Sequence, residues 1–340
     1  MNLSVLDPCR DPEPPGWEEF RQAEGLTAIW AYDVIAASSQ GSWARPLLGV
    51  FHDGGRVVGV VGAVYIGLRR PASGRMPRPR REPLVLDVRL PGHSNEPTWH
   101  FGADVPPEVR RSLLSQFERA AARLLGWGLA GVVYRMVDEP HLPLVARRSA
   151  ITRDSPGSTL LRLTWSTTEG WISSLSKNRR KTLRRQITSI AQAGDLDVRE
   201  GRTRLDLDPV EMAELNRRHT ARLAARFDPR APLPPAYFDS LLRRDDVSVI
   251  SYHSAERLLA FGIVYEHPIS PVSGPWAALR PEEGGRKDLY FDVHARIVRR
   301  AIDAGAKQVL FGRGRVEIKT SLGFEYVPMR FVVVPRWAMG

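Results

Sequence analysis

The chain has 340 residues and a formal net charge of +11, from 49 Lys and Arg against 38 Asp and Glu. Hydrophobic residues make up 43% and charged residues 26%, which excludes a largely disordered or fibrous protein, and the length favours two domains over one core. The one cysteine, Cys9, excludes a disulfide framework and a cysteine-built zinc site, and no apolar run reaches the ~18–20 residues of a bilayer span. The opening residues show no basic-then-apolar signal pattern, so a cytoplasmic protein is expected. A positive field suits a polyanionic partner: nucleic acid, an anionic membrane surface or a phosphate-rich cosubstrate. Generous use of solvated arginine would give the same number.

Pro8, Pro12, Pro14 and Pro15 make residues 1–16 an irregular lead-in. LLGVF (47–51) and VVGVVGAVYIGL (57–68) flank Asp53-Gly54-Gly55 as a β-hairpin. RRPASGRMPRPRREP (69–83) carries six arginines with no apolar period and reads as a basic loop before the strand LVLDVRL (84–90). Residues 107–125 show helical spacing of Leu113, Leu114, Phe117, Ala121, Leu124 and Leu125, entered through Pro106-Pro107 and closed by Gly126 and Gly128. AGVVYRMV (130–137) is a short buried strand, and the turn-rich TRDSPGS (152–158) marks a boundary near 150–160. The second half gives a cationic helix within 174–194, a helix over 209–226, a hairpin from 247–253 and 258–267, a strand at 275–281, a helix at 288–304 and a strand at 307–313. Hairpin, strand, helix, strand thus occurs twice; in RLLGWGLAGVVYR (123–135) and RAIDAGAKQVLFG (300–312), Gly128 and Gly305 precede the strand pairs Val132-Val133 and Val309-Leu310. The expected fold class is α/β (α+β): two lobes, 17–155 and 156–340, each a mixed central sheet flanked by helices.

Two segments concentrate charge. Lys177, Arg179, Arg180, Lys181, Arg184 and Arg185 lie within nine residues, and no acid occurs from 170 to 194. Trp171, Ile172, Leu175, Leu183, Ile187 and Ile190 supply an apolar stripe, so the helix is amphipathic with a cationic polar side. A merely solvated helix normally mixes Glu with Lys at i,i+4. Forgoing those pairs favours an anionic surface as partner over a solvated basic face. The second segment, FGRGRVEIKTSLGFEY (311–326), places Arg313, Arg315 and Lys319 after a buried strand, where such sheets have their ligand crevice.

The run Leu175-Ser176-Lys177-Asn178-Arg179-Arg180-Lys181-x-Leu183-Arg184-Arg185 resembles the opening helix of the acetyltransferase domain in Fem-like and cellulose-biosynthesis-associated (BioF2-like) members of the GNAT superfamily. The later helix at 215–226, the hairpin at 247–267, the helix at 288–304 and Gly323-Phe324 follow in that family's order, over about 165–335. The resemblance implies two tandem GNAT-like lobes and an N-acyltransferase that needs no resident cofactor. An acceptor amine, on a small molecule or peptide, would attack an activated acyl group. In the Fem-like members the donor is an aminoacyl-tRNA, and a lysine ahead of a Gly-Phe pair contacts its ester; Lys319 matches that lysine. The stretch LRPEEGGRKDLYFD (279–292) departs from the usual Arg/Gln-x-x-Gly-x-Gly/Ala pyrophosphate loop, which lowers the case for an acyl-CoA donor without excluding it. Arg286 and Lys287 join the basic set, and a non-catalytic RNA- or membrane-surface-binding protein on this scaffold is a further alternative.

Acyl transfer to an amine needs a deprotonated nucleophile, and His219, Glu317 and Asp288 are candidate bases beside Lys319 as oxyanion stabiliser. Trp99, His100, Tyr237 and Tyr290 are candidate acceptor walls, although aromatics in such segments more often belong to a core. His93, His100 and His141 lack metal-ligand spacing, and no metal is expected.

Overall fold

The computed structural model describes residues 1–40, 44–67, 82–92, 95–223 and 232–339. His93 and most of the basic 69–83 segment lie outside these residues. In chain order the elements are β1 (Asn2–Leu6), α1 (Trp17–Ala23), α2 (Tyr32–Ala37), β2 (Arg45–Asp53), β3 (Arg56–Gly67), β4 (Leu84–Val88), β5 (Trp99–Phe101), α3 (Pro107–Leu125), β6 (Leu129–Val137), α4 (Leu142–Val145) and β7 (Ile151–Arg162). There follow α5 (Thr168–Ser174), α6 (Lys177–Ala191), β8 (Asp197–Arg202), α7 (Pro209–Leu223), α8 (Pro235–Leu242), β9 (Val247–Ser254), β10 (Arg257–Tyr265), β11 (Val272–Ala278), α9 (Leu289–Asp303), β12 (Gln308–Phe311), α10 (Val316–Ser321) and β13 (Glu325–Pro335).

Two compact units result. The first takes Met1–Gly157 together with the chain from Pro328 onward, the second Ser158–Phe227 and Pro235–Val327. The division therefore differs from 17–155 and 156–340 at both ends. Residues 2–6 do not form an irregular lead-in: they pair antiparallel with β2, from Asn2↔His52 to Leu6↔Leu48, because alternate residues Leu3 and Val5 pack on the first unit's core. TRDSPGS is strand, not turn, because β7 continues into the ladder Thr159↔Phe311 to Arg162↔Gln308 and that pairing overrides local turn preference.

In the first unit the strand order is β1-β2-β3-β4-β6-β13, with β5 against β3; β4 and β6 run parallel and their neighbours antiparallel. The C-terminal strand returns to this unit, and Val332 and Val334 enter a core with Phe51, Phe117 and Tyr134. Each such valine contributes about 1.5–3 kcal/mol of burial. Gly131 permits the approach of β13: a Cβ there would lie 2.5 Å from the Val334 carbonyl oxygen. Glu118, fully buried, receives Arg147 through Nη2 at 2.6 Å and Nη1 at 3.1 Å, and the Tyr134 hydroxyl at 2.7 Å.

In the second unit the order is β7-β12-β11-β10-β9-β8, antiparallel except for the parallel pair β11 and β12. That pair shares the single bridge Val272↔Leu310, so the later residues of β11 are free of β12. The amphipathic α9 buries Val293, Ile297, Val298 and Ala301 against the sheet. The Trp171 indole on α5 donates to the Leu322 carbonyl at 3.0 Å, fastening the end of α10.

Candidate active site

A cleft of about 370 Å³ opens beyond the C-terminal ends of the parallel strands, in the second unit. Trp276 and Ala278 of β11, the 279–288 connection, the first turn of α9, His219 and Arg222 of α7, and Arg315 and Ile318 beside α10 line it. The place follows from the topology: where parallel neighbours separate, the space beyond their carboxyl ends has no strand to fill it.

The connection from β11 to α9 closes on itself. Glu283 N–H donates to Arg280 O at 3.0 Å, Gly284 N–H to Pro281 O at 3.1 Å and Gly285 N–H to Arg280 O at 2.7 Å. Gly284 sits at φ 84°, in the left-handed region open to glycine, and a Cβ on Gly285 would strike the Leu279 carbonyl. Glu283 takes the Arg222 guanidinium at 3.1 Å, and Arg222 also donates to the Ala278 carbonyl at 2.7 Å, joining α7 to the end of β11. Beyond this turn α9 starts at Leu289 without a side-chain cap. Asp288 accepts Gln186 Nε2 at 2.7 Å, which anchors α6 at the mouth.

His219 lies on the α7 wall with Nδ1 3.3 Å from Arg222 Nη2. Burial, followed by the Arg222 charge, lowers its pKa to about 4, so the imidazole is neutral at pH 7. Arg315, at φ 52°, stands over the Tyr290 ring at 5.7 Å. Arg286 lines the cleft and is held by Asp195 at 2.9 and 3.1 Å. His219, Tyr290, Arg286 and Arg315 thus line the same cleft.

Lys319 is not on the cleft surface. It is 4% exposed, its ammonium donates to the Gly312 carbonyl, and burial lowers its pKa to about 8. It lies next to the Phe311 ring, one layer below Tyr290 and His294. Glu317 is exposed on the first turn of α10 and Lys287 is exposed after the turn; neither lines the cleft, nor does Arg313. The helix charges divide: Arg180 donates to the Ser173 carbonyl at 2.7 Å and Arg184 pairs with Glu169, so both tie α6 to α5. Arg179 turns inward, 4.5 Å over Phe291. Lys177, Lys181 and Arg185 stay exposed.

The remaining aromatics belong to cores. Trp99 is 4% exposed and meets Tyr134 edge-on at 5.3 Å in the first unit, where His100 bonds Glu24 at 2.9 Å. Tyr237 is 1% exposed and its hydroxyl bonds that of Tyr265 at 2.7 Å. None of the three lines the cleft: Trp99 and Tyr237 are buried in their own cores, and His100, which alternates with Trp99 and Phe101 along β5, is half-buried beside Glu24. Sequence reasoning missed Arg222, Trp276, Phe291 and His294. The i,i+3 spacing of His219 and Arg222 and the i,i+4 spacing of Tyr290 and His294 carried the signal of shared helix faces.

A mixed sheet whose central parallel pair opens beside a helix start is the framework of GNAT-type acyl transfer. Residues 177–320 match the family model of the acetyltransferase (GNAT) domain. The second unit is a GNAT domain, which makes the chain an acyltransferase. No curated protein matches the sequence. Among solved structures, L-PGS from Bacillus licheniformis is similar at 9% identity and TM-score 0.59, covering 95% of this chain and 92% of that one. A tandem GNAT protein from the clavulanic acid biosynthesis pathway is similar at 13% identity and TM-score 0.54, over 98% and 99%. FemX is similar at 10% identity and TM-score 0.56, over 98% and 97%. At these identities the likeness is one of fold, and it extends the tandem, Fem-like architecture over the whole chain.

Proposed function

We propose that the protein transfers an aminoacyl group from aminoacyl-tRNA to an amine on a small molecule or peptide, at the cleft beneath Arg222 and Arg315. The observation that carries this reading is the 280–285 turn. Its amides bond their own carbonyls where a CoA diphosphate would need them, and Glu283 places an acid there. The exposed Lys177, Lys181 and Arg185 on α6, a helix anchored at the cleft mouth through Gln186 and Asp288, offer charge to an RNA backbone.

In this mechanism the uncharged amine nitrogen attacks the ester carbonyl and a C–N bond forms. The tetrahedral intermediate collapses with cleavage of the C–O bond to the ribose, and the departing oxygen takes the proton that the nitrogen releases. Arg222 and Arg315 bring positive charge to the cleft in which the oxyanion develops. His219, neutral at pH 7, is a hydrogen-bonding wall and too weak a base to take the proton from an ammonium. Lys319 holds the Gly312 backbone next to Arg315 and acts as a positioning residue.

An acyl-CoA donor is the second reading, favoured by the start of α9 at Leu289, where no side chain caps the helix. The two readings separate in one experiment. The protein is incubated with charged tRNA and, in parallel, with an acyl-CoA panel, and the amides formed from cell-extract amines are identified by mass spectrometry. Product with tRNA alone, tRNA affinity that falls steeply with salt, and loss of that affinity in Lys177→Glu/Lys181→Glu/Arg185→Glu support the first reading. Product with acyl-CoA alone refutes it.

A further inference from the structure

Behind the part of the cleft wall made by Tyr290 and Phe291, three basic side chains, Arg179, His294 and Lys319, border one run of aromatic rings. The Arg179 guanidinium lies 4.5 Å over the Phe291 ring, and its Nε and Nη2 are buried with no hydrogen-bond partner. Those two nitrogens form one edge of the guanidinium and point two parallel N–H groups the same way, the geometry that fits both oxygens of a carboxylate. His294 is 4% exposed. Its Nδ1 lies 2.7 Å from the Tyr290 carbonyl, which can only accept, so Nδ1 carries the proton and Nε2 holds a lone pair. That Nε2 is also buried and unpartnered.

Ring contacts link the group: Tyr290 meets His294 tilted at 4.2 Å, His294 stacks on Phe311 at 4.8 Å, and the Lys319 ammonium lies 5.8 Å from the Phe311 centre. Burial, followed by the charges of Lys319 and Arg179, lowers the His294 pKa to about 3. Among the described residues no carboxylate pairs with Arg179 or Lys319. Buried donors without acceptors are costly, and the cost is removed when an anion supplies the oxygens.

We propose that Arg179, His294 and Lys319 form a binding site for a carboxylate of the substrate. The carboxylate lies on the Arg179 edge, Lys319 adds the second positive charge, and His294 Nε2 accepts a neighbouring N–H or O–H. The inference rests on the cleft being the substrate site and adds the class of molecule it takes: a carboxylate-bearing acyl group or a carboxylate-bearing amine.

The test uses the full chain labelled with ¹⁵N at arginine, the Arg179 Nε–H resonance being the one missing in Arg179→Lys. Acetate, glycine and inorganic phosphate are titrated in at constant ionic strength, with sodium chloride as control. Acetate and glycine should shift this resonance saturably and raise Tm. Arg179→Lys and Lys319→Met should weaken the Tm response about tenfold in concentration, while Arg185→Lys, on the exposed face of the same helix, leaves it intact. Glycine binding more tightly than acetate assigns the carboxylate to the amine acceptor; equal binding assigns it to the acyl group. A shift with phosphate alone, a shift no larger than with chloride, or an undiminished response in Arg179→Lys overturns the proposal. The titration needs no turnover, so it can fail while acyl transfer is observed, and hold while the tRNA donor is refuted.

Discussion

Lys319→Met separates the energetic cost of a buried ammonium from its use. The side chain is 4% exposed, and burial lowers its pKa from 10.5 to about 8. The unfolded chain keeps this proton up to about pH 10.5 and the folded chain only up to about pH 8, so between those values the unfolded state binds more protons and stability rises with pH. Below pH 8 the whole cost, about 3 kcal/mol, is present. Against it stands the hydrogen bond to the Gly312 carbonyl, which contributes about 1 kcal/mol. Methionine fills a similar volume without charge, so Lys319→Met should be more stable than wild type by about 2 kcal/mol at pH 7. Urea unfolding followed by tryptophan fluorescence at several pH values measures this. From pH 8 to 9.5 the wild type should gain about 2 kcal/mol more than the variant does. Equal pH slopes for the two proteins, or a large loss of stability in the variant at pH 7, would refute the reasoning.

Removing the buried carboxylate of the first unit should act in the opposite direction. Glu118→Ala leaves Arg147 and the Tyr134 hydroxyl without their acceptor and should cost about 3–5 kcal/mol in urea unfolding, with Glu118→Gln recovering part of it. Gly131→Ala drives a Cβ into the Val334 carbonyl and should destabilise by about 1–3 kcal/mol, read as faster amide exchange at Val332–Val334 than in the second unit's strands. His219 and His294 are held neutral, with pKa values of about 4 and about 3, while the unfolded chain protonates them near 6.5. Stability should therefore fall as pH drops below 6.5, by about 2.5 kcal/mol per histidine on reaching pH 4.5. His219→Gln or His294→Asn should flatten that fall; an unchanged acid profile counts against the assigned environments.

Much of the architecture is legible in local pattern. Helix 107–125 coincides with α3 because Pro107 and Gly126 bracket an unbroken apolar period, and the hairpins coincide with β2–β3 and β9–β10 because alternation and turn residues agree. Tertiary pairing decides what local pattern misses. Asn2–Leu6 is too short and too proline-flanked to read as strand until β2 supplies its partner. The C-terminal strand carries no mark of the sheet it joins, since Val332 and Val334 would fit either core. At the site, residue type located the neighbourhood but not the facing: Arg315 and Lys319 are four residues apart, yet one lines the cleft and the other lies beneath it. His294 lies on the apolar face of α9, and its unfilled lone pair becomes visible only with Tyr290 in place.

The six cations of the 177–185 run show why counting charge overstates a binding surface. Arg180 and Arg184 fix α5 to α6 through Ser173 and Glu169. These exposed contacts are weak individually, but they hold the helix whose first turn sends Arg179 inward over Phe291. Only Lys177, Lys181 and Arg185 remain for a partner in solution. Three phosphate contacts give a salt slope of about 3 or less, against about 5 if all six cations met RNA. A steeper measured slope would require cations from elsewhere in the chain or rearrangement of the Arg184–Glu169 pair on binding. The salt dependence of tRNA affinity therefore reports the number of participating side chains as well as the presence of a nucleic-acid partner.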